Sequence, residues 1–116
     1  MDSLFFKEEH VMIRDMVRNF ADDQIMPLAR NLDEEERFPL ELVQEMGRLG
    51  LMGMIVPQEY GGSGLDMVAF ATAIIELARA DASVAITMAA HNSLGTLPLL
   101  LFGNDDQKRS YLPKLA

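Results

Sequence analysis

A chain of 116 residues with 49% hydrophobic content is long enough to bury the core of one domain. Its 18 acidic residues against 10 basic ones give a net charge of -8, which repels phosphate backbones and sets nucleic acid aside as a partner. Without cysteine there is no disulfide, zinc–thiolate site or thiol nucleophile, and a cytoplasmic or other reducing compartment is expected. Apolar runs such as Leu97 to Phe102 fall short of the roughly 20 residues a bilayer crossing needs. The N-terminus turns acidic within its first ten residues, so neither a membrane span nor a signal peptide is expected.

The first segment, Phe6 to Ile25, sets Phe6, Ile13, Met16, Val17 and Phe20 at helical spacing with charged residues between them, an amphipathic helix. Pro27 lacks an amide hydrogen and crowds the carbonyl four residues back, so the helix is expected to kink or restart there. The acidic run Asp33 to Glu36 reads as a solvated loop. A short helix follows from Pro39 through Leu42, Val43, Met46 and Leu49, ended by Gly50 in a left-handed conformation.

Leu51 to Val56 reads as extended chain leading into the turn-rich stretch Pro57 to Gly64. Asp66 is placed to cap a helix running to about Ala80, and Asp81 or Ser83 to cap another. Val84 to Asn92 is apolar on nearly every side, which predicts the most interior helix. A break is expected near Gly95 because of Pro98, with a fresh turn through Leu99 to Phe102 ended by Gly103. Asn104 and Gln107 are spaced as a capping pair for a last helix carrying Tyr111, Leu112 and Leu115. The expected fold class is all-α, an up-and-down, bundle-like domain over residues 1–116.

Chemistry is sparse. Gly61-Gly62-Ser63-Gly64 has neither the glycine spacing of a dinucleotide loop nor a Walker lysine, and reads as a tight turn. His10 and His91 have no carboxylate or second histidine three or four residues away, so both read as structural and no metal is expected. His91-Asn92-Ser93 places its base and hydroxyl on neighbouring helix positions that diverge, which does not make a nucleophile pair. The nine methionines read as core filling.

Three blocks carry a family resemblance. FFKEEHVMIRDMVRNFADDQIMPLA, IVPQEYGGSGLD and HNSLGTLPLLLFGNDDQKRSYLPKLA together resemble the N-terminal helical domain of the acyl-CoA dehydrogenases over nearly the whole chain. The resemblance implies a flavoenzyme in which FAD accepts a hydride from the β-carbon of an acyl-CoA thioester while a glutamate removes an α-proton, giving the trans-2-enoyl product. In that family a β-domain and a C-terminal helical domain follow, hold most of the flavin and supply the glutamate.

No catalytic residue is therefore assigned here, no flavin contact is assigned, and the chain alone is expected to bind no flavin and to be inactive. The implied partners are the acyl-CoA, the remaining domains of the same enzyme and further copies of the complete enzyme. The family's buried helix before the NSLG stretch packs along the acyl chain, which implies Ile86, Thr87, Ala90 and Leu94 as lining residues. Ala90 is small, implying a pocket not shortened at that point. Acyl-CoA oxidases and nitroalkane oxidases share the architecture, and a freestanding helical module that binds a protein or lipid without redox chemistry is the alternative reading.

Overall fold

The computed structural model describes residues 6–116; Phe5, the first residue of the opening block, lies outside them. Among the described residues there are helices and turns but no strand, as expected of an all-α domain. The body is flat, 42 × 38 × 19 Å, or about two helix diameters thick. Few helices can then be covered on every side.

The first helix, α1 (Glu8–Phe20), begins after Lys7, with Glu8 and Glu9 in the first turn where the helix dipole favours negative charge. It does not stop at Pro27. A π-helical turn, Ala21–Ile25, carries it into α2 (Met26–Glu35), the Met26 N–H reaching back to the Ala21 carbonyl. The wider turn reroutes the carbonyl that an α-helical proline would crowd. Helix also extends through the acidic run: Leu32 is anchored in the core, Arg30 pairs with Glu34 at 3.0 Å, and Glu36 ends the element with φ 51°. Asp33 and Glu34 are solvated as expected, but on a helix rather than a loop.

Next come α3 (Leu40–Arg48), α4 (Met67–Ala80), α5 (Ala82–Ala90), α6 (Leu97–Phe102) and α7 (Asp105–Leu115). Asp66 caps α4 by accepting the Ala69 N–H at 2.9 Å, and Asp81 caps α5 through the Ser83 and Val84 N–H groups. Asn104 and Gln107 form the reciprocal cap of α7 at 2.8 and 3.0 Å. Val17, Phe20 and Ile25 pack against the small Ala69 and Ala73 and against Leu77, while Val84, Ala85 and Met88 close the other side of α4. Each large apolar side chain in that core contributes roughly 1.5–3 kcal/mol relative to exposure.

Leu51 to Val56 is not extended chain. Leu51–Gly53 forms a 3-10 turn, and Leu51, Met54 and Val56 are buried. Buried backbone needs partners. The carbonyls of Gly53, Met54 and Val56 accept the N–H groups of Ser63, Leu65 and Gly64 at 2.9, 2.7 and 2.8 Å. The Asn92 side-chain amide satisfies the Leu51 carbonyl at 2.9 Å.

Candidate functional site

The expected break near Gly95 is absent. A second π-helical turn, His91–Thr96, joins α5 to α6, and the Leu97 N–H bonds the Asn92 carbonyl just before Pro98. The continuous helix Ala82–Phe102 has 21 residues and a mean hydropathy of 1.3 in its most apolar window, so by length and composition it could cross a bilayer. The uninterrupted apolar runs are short, but the π turn joins them.

This helix is not interior all round. Val84, Ala85, Met88, Asn92 and Thr96 are buried on one side, while Ile86 and Leu94 are 66% and 79% exposed. Thr87 and Ala90 are half-buried. Steps of four place Ile86, Ala90 and Leu94 on one stripe, with Thr87 at its edge. Leu101 and Phe102 extend the bare apolar surface to the helix end. Because the layer is thin, α4 covers only the inner side, and uniform apolarity could not say which side that would be.

The inner side carries a buried polar pair. Asn92 donates to the carbonyls of Leu51 and Met88 at 2.9 and 3.0 Å. Its Oδ1 and the Oγ1 of Thr96 have no partner among the described residues.

Near Thr87 the stripe meets a groove of about 600 Å³ between the start of α5 and the α2–α3 connection, with Leu32, Phe38, Val84, Ser83 and Thr87 in its walls. Phe38 carries no motif and Ser83 only a possible capping role, so the proximity created by folding is what marks them here. A second groove of about 500 Å³, lined mostly by Phe6, Met67, Val68, Ala71 and Ile75, lies between α1 and α4.

The glycine loop is internal packing. The Ser63 and Gly64 N–H groups serve the 53–56 turn, those of Gly61 and Gly62 bond the Gln58 and Pro57 carbonyls, and a Cβ on Gly62 would stand 2.1 Å from the Val56 carbonyl oxygen. It therefore cannot cradle a phosphate. His10, expected to have no carboxylate partner, has one after all, brought from 56 residues away. Its Nδ1 accepts the Lys7 N–H at 2.8 Å, so Nε2 carries the proton and donates to Asp66 at 2.9 and 3.0 Å. Glu9, His10 and Asp66 have their polar atoms within 4.8 Å of one another, a closeness that the His10–Asp66 hydrogen bond itself produces. The Ala69 N–H first, and His10 second, hold the Asp66 carboxyl below its usual value. His91 is tied to the Leu115 carbonyl at 2.7 Å.

Fold and exposed stripe define an all-helical domain that presents one apolar helix wall. The chain belongs to the family described as acyl-CoA dehydrogenase, N-terminal domain, whose model matches residues 7–116. It is 46% identical over 109 residues to an acyl-CoA dehydrogenase of Bacillus subtilis, covering 94% of this chain and 29% of that protein. It is 42% identical over 110 residues to the mitochondrial short-chain specific acyl-CoA dehydrogenase of Bos taurus, covering 95% of this chain and 27% of that one. A crystal structure of an acyl-CoA dehydrogenase complexed with FAD from Bacillus anthracis superposes with a TM-score of 0.90 at 42% identity, over 100% of this chain and 20% of that one. The chain thus spans less than a third of the length of these relatives.

Proposed function

We propose that this domain forms one wall of the acyl pocket in a flavin-dependent acyl-CoA dehydrogenase that converts acyl-CoA thioesters to trans-2-enoyl-CoA. The observation that carries the reading is the exposure of Ile86 and Leu94 on a helix whose opposite side is buried. Apolar side chains left bare in a row mark a surface that something apolar covers. An acyl tail gains roughly 0.8 kcal/mol per methylene removed from water, so its wall has to be apolar. When bound, FAD supplies the acceptor for the β-hydride; no described residue is assigned to hold it, since the glycine loop is closed by its own packing.

The rest of the stripe, toward Leu101 and Phe102, is assigned to the companion domains of the same enzyme rather than to lipid. The complete enzyme is read as a homo-oligomer whose main contacts lie elsewhere, in a reducing compartment. Ala90→Phe in the complete, flavin-loaded chain narrows the wall at its middle and is expected to shift kcat/KM toward shorter acyl-CoAs. An unchanged chain-length profile would sink this reading.

A further inference from the structure

Helix α7 is loosely seated along most of its length. Of its 11 residues only Leu112 is buried, and a helix fixed at one side chain can pivot about it. Its direction is set at its C-terminal end, where three elements close a ring of contacts. His91, in the π turn of the long helix, donates from Nε2 to the Leu115 carbonyl at 2.7 Å. Asn92, the next residue, donates to the Leu51 carbonyl at 2.9 Å. Ala116 completes the ring by packing on Gly53, where a Cβ would stand 2.6 Å from the Ala116 Cβ and 2.8 Å from its Cα.

Each contact meets a local need. The last carbonyls of a helix have no partner within it, and the His91 side chain supplies one to Leu115. Gly53 is not among the glycines with positive φ, so what calls for glycine there is the space that Ala116 takes. A closed ring is stiffer than its separate contacts, because displacing any one element has to break two of them. The π turn that carries the ring also carries the end of the wall: His91 directly follows Ala90, and Leu94 comes three residues later.

We propose that His91 is a positioning residue: through the Leu115 carbonyl it fixes the direction of α7 against the Ile86 to Leu94 wall, and so the placement of the companion domains that follow α7. The assignment rests on the acyl-wall reading above, in which those domains hold the flavin. An acyl tail seated on the wall then presents its thioester end to the flavin at one setting, and an opened ring spreads that setting. Misplacing a reacting centre by about 1 Å costs on the order of a hundredfold in rate.

The test uses the complete, flavin-loaded enzyme. His91→Leu keeps bulk but removes the donor, His91→Gln sets an amide N–H near where the ring N–H stood, and Gly53→Ala pushes the end of α7 away with His91 intact. His91→Leu is expected to lower kcat per bound flavin about tenfold at every acyl length, with KM within about threefold of the unmodified enzyme. His91→Gln should recover most of that loss. Gly53→Ala should cost a similar factor, and the double variant should fall within about twofold of the worse single one, because both changes open the same ring.

A His91→Leu enzyme that keeps its kcat per bound flavin overturns the positioning role, even if its Tm or flavin content falls. A loss that His91→Gln does not recover, or two losses that multiply in the double variant, overturns it as well. Ala90→Phe scores the wall separately. If it moves the chain-length profile while His91→Leu leaves kcat per bound flavin unchanged, the positioning role is wrong and the wall stands. If neither variant has its effect, both are wrong.

Discussion

Asn92 fastens the long helix to the Leu51 turn, and Asn92→Ala measures how much that fastening is worth. The residue is fully buried, and its amide donates to the Leu51 carbonyl at 2.9 Å and to the Met88 carbonyl at 3.0 Å. Truncation takes this donor from the buried Leu51 carbonyl, which keeps only the bonding of its own 3-10 turn, at about 1–3 kcal/mol. The space left by the amide adds about 24 cal/mol per Å³ where it does not collapse. Together these come to about 3 kcal/mol, and at about 4 °C per kcal/mol for a domain of this size Tm should fall by about 12 °C. Asn92→Asp should be worse, because it points an oxygen at the Leu51 oxygen and buries a charge. Thermal unfolding followed by circular dichroism, with urea midpoints at constant m, reads both changes. A Tm loss under about 4 °C for Asn92→Ala would mean that the Leu51 carbonyl finds another donor, and the fastening would be refuted.

Two glycines should respond in opposite ways. Gly62→Ala forces a Cβ to 2.1 Å from the Val56 carbonyl oxygen and should cost on the order of 2 kcal/mol, whereas Gly95→Ala meets nothing nearer than the Ala90 oxygen at 3.9 Å and should raise Tm slightly. Equal effects in urea unfolding would contradict this account of the loop. Asp66 supplies a pH test: its carboxyl is held below the usual value, so the charge stabilises the fold above that value, and the benefit is lost as pH falls through the folded-state one. Asp66→Asn keeps a capping oxygen but cannot titrate, so the Tm drop between about pH 5 and about pH 3 should shrink; an unchanged drop assigns the acid sensitivity to other carboxylates.

Features decided within four residues were legible in the sequence. The caps at Asp66, Asp81 and Asn104 are set by short side chains reaching their own helix starts, and Gly50 takes φ 84° because the chain must turn there after α3. Features decided by distant partners were not. Leu51 to Val56 looked extended because its hydrogen-bond donors sit at Ser63 to Leu65 and at Asn92. His10 looked unpartnered because Asp66 comes from the start of another helix, 56 residues away. The stripe at Ile86 to Leu94 came from the family resemblance, since the residue pattern alone pointed to an interior helix and could not show which side the rest of the domain covers.

The two π turns share a cause, and the second shapes the site. Pro27 and Pro98 each follow a π turn by two residues, so each proline enters where the preceding carbonyl has been redirected rather than crowded. A π turn adds one residue, which rotates everything beyond it by about 100° relative to an unbroken α-helix. In the His91–Thr96 turn that rotation lets Asn92 and Thr96 both point inward while Leu94 stays on the outer stripe with Ile86 and Ala90. Beyond the turn it directs Leu101 and Phe102 outward as well, so bare apolar surface recurs along the whole helix. A sharp break at Gly95 would have ended the wall after Ala90. The proline that looked like a helix breaker thus marks the place where the helix is widened, and the widening is what keeps the wall long.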